Sequence, residues 1–222
     1  MLVNTPNALY GRIGAVLSAL IVIFCIIGLT MHKEFYAGKK RAGFLCFYTN
    51  LSNLLVLLYQ LALALALFWP QSSLCRLVTD VRVSFSMAMC IWVTHLIYHF
   101  MLLPDAKRRG KLSDDFVSKT GNLFAHYIIP LLAVGQWLLL ADKSALDWTC
   151  ALWWLLLPLC YLVFALLRAR TGKPIGHTKL IYPYFFMDVD RLGVPRFLRN
   201  LLIFLFLFFL LGLVLVGIGS LL

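Results

Sequence analysis

The segment FLCFYTNLSNLLVLL, residues 44–58, decides the fold, because it combines the apolar character of a membrane span with a cluster of polar side chains. It belongs to an uncharged stretch, residues 43–69, that is long enough to cross a bilayer as a helix. At 3.6 residues per turn, Thr49, Asn53 and Gln60 share one face of that helix. Because polar groups are costly in hydrocarbon without partners, we expect this face to pack against other helices.

The composition is that of a membrane protein. Of the 222 residues, 62% are hydrophobic and only 13% are charged, whereas a soluble domain carries roughly a quarter charged residues. The formal net charge of +11 would suggest nucleic acid as a partner of a soluble protein. Here the Lys and Arg residues lie in short segments between apolar runs, where they act as topology signals and contacts for anionic lipids, so we expect no nucleic acid.

Six apolar runs each reach the roughly 20 residues that a spanning helix needs. They are about Gly11–Met31, Gly43–Trp69, Val83–Leu103, Gly121–Ala141, Trp148–Leu167 and Leu201–Leu222. The first run is longer than the apolar core of a secretory signal, so we expect it to remain as a helix. The sequence predicts an all-α bundle of six transmembrane helices that forms a single domain over residues 1–222.

The distribution of Lys and Arg predicts the orientation. The first, third and fifth connections carry four, five and seven basic residues, and four others lie elsewhere. Because basic loops stay in the cytoplasm, this asymmetry places the three odd-numbered connections inside and both termini outside. We expect a multi-pass protein of the plasma (inner) membrane.

Polar side chains in three runs lie at a similar depth below the predicted cytoplasmic surface. At 1.5 Å per residue, Thr49 lies about 9 Å into the second run, and His126 lies about 7–8 Å into the fourth. His99 lies five residues before Pro104, which follows the third run, and His95 is one turn deeper on the same face. We therefore expect three helices to bring these side chains into one polar layer.

The polar layer has a structural explanation as well as a functional one. A lone Thr in a membrane helix commonly bonds its own i−4 carbonyl, and a lone His commonly supports helix packing. No Asp, Glu or Lys lies within the six runs, which excludes a carboxylate dyad, an acid-lined ion path and a retinal-type Schiff base. His95, His99 and His126 could bind zinc, but without a carboxylate or Cys beside them we expect no metal.

The six cysteines show no C-x-x-C spacing, so we expect no metal site built on them. Cys75 and Cys150 both fall on the predicted outer side, where a disulfide can form. The alternative is two unpaired thiols at an apolar interface. The geometry decides between these, because a disulfide needs Cα atoms within roughly 7 Å.

A Thr and a His in one buried layer can carry out acyl transfer. A hydroxyl is a weak nucleophile that needs an adjacent base, and neutral imidazole is the usual one. The oxyanion that forms needs hydrogen-bond donors, for which the side-chain amides of Asn50, Asn53 and Asn122 are candidates. An acyl chain in the leaflet would carry an ester to about this depth, so the layer suits a lipid substrate.

Four motifs connect the chain to a known family. They are YTNLSNLL at 48–55, VTHLIYH at 93–99, Asn122-x-x-x-His126-x-x-x-Pro130, and YPYF at 182–185 followed by Asp188. In these motifs the chain resembles the androgen-induced family of six-helix membrane hydrolases, and it is most similar to the bacterial branch. The resemblance implies a threonine hydrolase, since the members with known activity cleave fatty-acid esters of hydroxy fatty acids with a Thr on the second helix and a His on the fourth.

Thr49 and His126 occupy the places of that Thr and that His. In the animal members the Thr precedes an Asn by three residues, whereas Thr49 precedes Asn53 by four, a spacing that the bacterial branch resembles. Ser52 therefore remains an alternative nucleophile, and the animal substrate is not assumed for this chain.

We predict a lipid-ester hydrolase in which Thr49 is the nucleophile and His126 the general base, acting from the cytoplasmic leaflet without a cofactor. The expected partners are a membrane lipid or fatty-acid ester and anionic lipid head groups. The alternative is a non-enzymatic carrier or lipid sensor that uses the same layer as a pocket. The candidate substrate-binding residues are Asn50, Ser52, Asn53, His95, His99, Asn122, Tyr182 and Asp188.

Overall fold

The computed structural model describes residues 8–31, 43–110, 115–176 and 178–222, and within these ranges the chain is helical and contains no β-strand. Six of the helices are long and apolar enough to cross a membrane, which confirms the predicted all-α six-helix architecture. The chain is therefore a multi-pass membrane protein. The six are α1 (Ala8–Thr30), α2 (Tyr48–Ala66), α3 (Val81–Arg108), α4 (Phe116–Leu140), α5 (Cys150–Ala169) and α6 (Val194–Ser220).

Side-chain caps set where α3 and α4 begin. The Asp80 carboxylate accepts the Arg82 N–H at 2.8 Å, and the Asp115 carboxylate accepts the Ser118 N–H at 2.8 Å. Both carboxylates satisfy amides that have no partner within the first turn of the helix. For this reason both helices begin a few residues before the apolar runs that predicted them.

The helix α2 begins later than its apolar run. Residues 43–46 form a 3₁₀ turn, and Phe47, in an extended conformation, precedes the first residue of the helix. Gly43 allows this turn to approach the connection that follows α5, because a Cβ atom at Gly43 would lie 2.6 Å from the Gly176 nitrogen. Because α2 begins at Tyr48, Thr49 lies in its first turn, at the N-terminal end of the helix.

Two helices change their hydrogen-bonding pattern within the membrane. Residues Tyr98–Leu102 of α3 and Phe124–Ile128 of α4 are π-helical, and a proline follows each segment, Pro104 and Pro130. Proline has no N–H, so an i−4 bond from Pro130 to the His126 carbonyl cannot form. Such wide turns often mark functional sites.

The buried core contains residues of the four helices α1, α2, α3 and α4. On one side it also includes residues of α5 and α6. The rings of Phe85 and Trp137 meet edge to face at 5.5 Å between α3 and α4. Near the other end of α2, the Gln60 amide donates to the Gln136 carbonyl oxygen at 2.6 Å, and the Gln136 amide donates to the Ser18 hydroxyl at 2.8 Å. These bonds satisfy both side-chain amide NH₂ groups, which would be costly in lipid without a partner.

The helices α5 and α6 touch at one end and separate at the other. Gly212 of α6 lies so close to α5 that a Cβ atom there would lie 2.9 Å from the Ala151 Cβ. Large apolar side chains remain exposed along both helices, as a lipid-facing surface requires, including Val163, Phe206 and Val214.

All six cysteines are free, so no bridge joins Cys75 to Cys150. Cys75 lies in the short helix Ser73–Thr79 that precedes α3, and Cys150 is buried at the start of α5. The basic residues Lys33, Lys39, Lys40, Arg41 and Lys111 lie outside the described residues.

Candidate functional site

An apolar cavity lies between α2, α3, α5 and α6, on the side where α5 and α6 separate. It has a volume of about 100 Å³ and is partly open to the surroundings. Its apolar walls include Pro158, Leu159 and Leu162 of α5 and Leu201, Phe204 and Phe208 of α6. The lining residues that carry a hydroxyl are Tyr48, Thr49, Thr94, Tyr161 and Tyr184.

Thr49 forms part of the cavity wall and is only 8% exposed. Its carbonyl oxygen accepts hydrogen bonds from the Ser52 hydroxyl at 3.0 Å and from the Asn53 amide at 2.7 Å. Its amide N–H has no partner within the first turn of α2 and donates to the Tyr184 hydroxyl at 3.4 Å. Three side chains, those of Ser52, Asn53 and Tyr184, therefore bond the backbone of Thr49.

Asn53 connects this part of α2 to the π-helical segment of α4. Its amide also donates to the carbonyl of Ala125 at 3.2 Å, and the residue is 1% exposed. The side-chain oxygen of Asn53 has no hydrogen-bond partner among the described residues. Since Ala125 directly precedes His126, this contact holds the α2 backbone next to the segment that carries the imidazole.

His126 is 6% exposed, and its ring is held by α3. The Tyr98 ring stacks on the imidazole with 3.7 Å between ring centroids and 9° between planes. The His126 carbonyl lies 2.7 Å from Nδ1 of His95. Because a carbonyl can only accept, His95 must carry a proton on Nδ1 and donate it there. The His126 carbonyl thus receives a hydrogen bond from His95 in place of the i−4 bond that Pro130 cannot donate.

The remaining histidine of the predicted layer lies at its edge. His99 is exposed, and its Nδ1 lies 3.0 Å from the Tyr127 hydroxyl. The rings of Trp92, His95 and His99 form a stack along α3, with centroids 5.0 and 5.8 Å apart. Among the described residues, no group of three or more His, Cys, Asp or Glu side chains is placed to hold a metal ion.

Ser52, the alternative nucleophile, lies away from the wall of this cavity. It is fully buried, and its hydroxyl is 2.8 Å from the Thr94 hydroxyl. Asn50 donates to the Phe44 carbonyl at 2.9 Å and so ties the 3₁₀ turn to α2. Asn122 is half-buried one turn before His126.

The two candidates from the connection between α5 and α6 make local contacts. Asp188 caps the short helix Val189–Leu192, since its carboxylate accepts the Arg191 N–H at 3.0 Å. The Tyr182 hydroxyl donates to the exposed Asp190 carboxylate at 3.2 Å. Both residues shape the segment that carries Tyr184.

Two arginines lie close to this segment. The Arg168 guanidinium donates to the Ile181 carbonyl at 2.7 Å, and Arg109 lies 6.0 Å from the Phe185 ring while it pairs with Asp105 at 2.9 Å. Positive charge therefore lies beside the segment that closes one side of the cavity. Such charge attracts carboxylates and phosphates at a membrane surface.

Tyr98 and Tyr184 lie within two of the quoted motifs, but sequence reasoning gave neither a role, and they meet His126 and Thr49. Neither has a spacing that distinguishes it from other aromatic residues of the chain. The Pro four residues after His126 was a usable signal, because it predicts a carbonyl that needs another donor.

Comparison of the chain with models of protein families, with curated proteins and with solved structures finds no match.

Proposed function

We propose that the protein is an intramembrane lipid-ester hydrolase in which Thr49 is the nucleophile and His126 the general base. The observation that carries the proposal is the position of Thr49, a buried residue in the wall of a mostly apolar cavity. An apolar cavity binds an acyl chain through the hydrophobic effect. Thr49 would then face the ester group at the end of that chain.

The proposed reaction is acyl transfer in two steps. The Thr49 oxygen attacks the ester carbonyl carbon while its proton moves to His126, and the carbonyl electron pair becomes an oxyanion. The intermediate collapses, and the alcohol leaves with the proton from His126. Water, activated by the same imidazole, then cleaves the acyl-threonine and releases the fatty acid. Asn53 supports this assignment, because it bonds the backbones of both elements.

The proposed substrate is a membrane lipid or a fatty-acid ester, reached from the cytoplasmic leaflet of the plasma membrane. Arg109 and Arg168 would attract an anionic head group to the cavity. The reaction uses only side chains of this protein and requires no cofactor.

A non-enzymatic lipid carrier or sensor is the second candidate. One observation favours it, namely that His126 is not one of the residues that line the cavity. The two candidates differ in whether Thr49 forms a covalent bond.

The test is labelling and turnover with purified protein in detergent. A lipid-tailed fluorophosphonate should label the protein at Thr49, and Thr49→Ala and His126→Ala should each lower ester hydrolysis by about 1000-fold or more, with the double variant little worse. Thr30→Ala is the matched control, since Thr30 bonds the Ile26 carbonyl of its own helix at 2.7 Å. Full activity of Thr49→Ala would contradict the proposal, and loss in Ser52→Ala instead would transfer the nucleophile to Ser52.

A further inference from the structure

Tyr184 is held against the candidate nucleophile by the segment between α5 and α6. It directly precedes the 3₁₀ turn Phe185–Met187 and has an extended backbone. Its ring stacks on Phe186 at 5.2 Å with 4° between planes, and it meets the Phe47 ring edge to face at 6.3 Å. These contacts fix the ring, so the phenolic oxygen has one well-defined position in the cavity wall.

That oxygen accepts the N–H of Thr49 at 3.4 Å. The proton of the phenol is therefore directed away from this amide. The amide and the hydroxyl of Thr49 belong to one residue. The Tyr184 phenol is therefore also close to the Thr49 hydroxyl oxygen, which is the proposed nucleophile. Burial raises the pKa of Tyr184 above its ordinary value near 10, although hydrogen bonds from Thr49 lower it in part. The phenol thus keeps its proton at neutral pH and can donate it.

The other hydroxyls that could serve in this cavity are already used. Tyr161 donates to the Cys46 carbonyl at 2.9 Å, and Tyr48 lies 3.2 Å from the Cys90 sulfur. Thr94 donates to the Cys90 carbonyl at 3.2 Å. Tyr184 differs from these residues, because its hydroxyl accepts a hydrogen bond from the N–H of Thr49.

We propose that the Tyr184 hydroxyl is the hydrogen-bond donor that stabilises the oxyanion formed when Thr49 attacks an ester carbonyl. This inference rests on the proposed hydrolase function and adds a catalytic residue to it. As the bond between the Thr49 oxygen and the carbonyl carbon forms, the carbonyl π electrons move to its oxygen, and Tyr184 donates a hydrogen bond to that oxygen without losing its proton. On collapse the electron pair returns, the bond to the alcohol oxygen breaks, and the hydrogen bond weakens.

The assignment explains why this connection is folded against α2. An oxyanion donor must be fixed before the reaction, because its benefit comes from needing no reorganisation. The stacked ring of Phe186 and the Asp188 cap provide that rigidity in a segment that lies between two membrane helices. Two of the three side-chain amides predicted for this role make other bonds, since Asn50 donates to Phe44 and Asn53 donates to two backbone carbonyls.

The experiment compares Tyr184→Phe with the unaltered protein, because this change removes only the hydroxyl and keeps the ring. The expected result is a fall in kcat of about 100-fold, the usual effect of removing one oxyanion donor, with KM little changed. Tyr59→Phe is the control, since the Tyr59 hydroxyl donates to the Val78 carbonyl at 3.0 Å outside the site. It should leave kcat unaltered.

A second measurement separates stabilisation of the oxyanion from binding of the chain. An ether analogue of the ester has no carbonyl, so Tyr184→Phe should bind it as tightly as the unaltered protein does. Equal losses of ether binding and turnover would overturn the inference, and so would full turnover in Tyr184→Phe when Thr49→Ala is inactive. Full turnover in Thr49→Ala would instead contradict the proposed function itself, which keeps the two failures distinct.

Discussion

His95 gives the clearest case of one residue that acts through another. Its Nδ1 lies 2.7 Å from the His126 carbonyl, which Pro130 deprives of an i−4 donor. The bond holds the wide turn of α4, and Tyr98 then stacks on the imidazole that this turn presents. We infer from this bond that His95 positions His126, while its predicted contact with substrate stays a prediction.

We predict that His95→Ala lowers kcat by about 100-fold, because a small displacement of the base misaligns the proton transfer. Asn carries an N–H donor at nearly the same distance from the backbone as Nδ1 of His, so His95→Asn should retain most of the activity. Steady-state turnover of both variants checks this. If His95 acted only through apolar packing, the turnover of His95→Asn would be no higher than that of His95→Ala.

At the scale of secondary-structure elements, the contact between α5 and α6 controls the width of the cavity. A Cβ atom at Gly212 would lie 2.9 Å from the Ala151 Cβ and 3.0 Å from Nε1 of Trp154. Neither neighbour is the end of a flexible chain, so the helices would have to move apart. Since Phe208 of α6 lines the cavity one turn away, its walls would move with them.

We predict that Gly212→Ala lowers the free energy of unfolding by about 1–3 kcal/mol, the usual cost of overpacking. Gly217→Ala is the matched control on the same helix, because a Cβ atom there meets no atom within 4 Å. Its free energy of unfolding should be unchanged or slightly higher, since Ala favours the helix. Denaturation in mixed detergent micelles measures both, and equal stabilities would show that the close contact at Gly212 can relax without cost.

At the scale of the whole molecule, the distribution of charge predicts which side of the membrane the cavity faces. The described basic residues of the third and fifth connections, such as Arg108 and Arg191, lie at the same end of the bundle as Thr49 and the cavity. If these connections are cytoplasmic, as the positive-inside rule predicts, the cavity takes lipid from the inner leaflet. The end of α6 would then lie outside.

We predict that Ser220→Cys, in a Cys75→Ser background, reacts with a membrane-impermeant maleimide in intact cells, whereas Arg108→Cys reacts only after permeabilisation. Both positions are exposed at the ends of spanning helices, so they differ mainly in the side that they occupy. The background protein is the control, because four of its five cysteines are buried and Cys160 lies within α5. The reverse labelling pattern would place the cavity toward the outer leaflet.

The sequence by itself determined the class of fold and the number of spanning helices, because hydrophobic length and charge are local properties that a bilayer reads directly. It also placed Thr49 on α2 and His126 on α4, since periodicity assigns a side chain to a helix and a face. The helix ends were less predictable. Asp80 and Asp115 extend α3 and α4 beyond their apolar runs, and a 3₁₀ turn delays α2, so Thr49 lies nearer to the start of its helix than a count from the run end predicts.

Only the tertiary structure decided which polar groups meet. Hydrogen bonds between side chains and backbone carbonyls of distant segments, such as His95 to His126 and Asn53 to Ala125, depend on how the helices pack and leave no spacing in the sequence. The same holds for Tyr184, 135 residues away from Thr49 in the chain. A buried hydrogen-bond donor needs an acceptor, and a helix offers many carbonyl oxygens within reach. The packing of the apolar surfaces decides which of these carbonyls the donor meets.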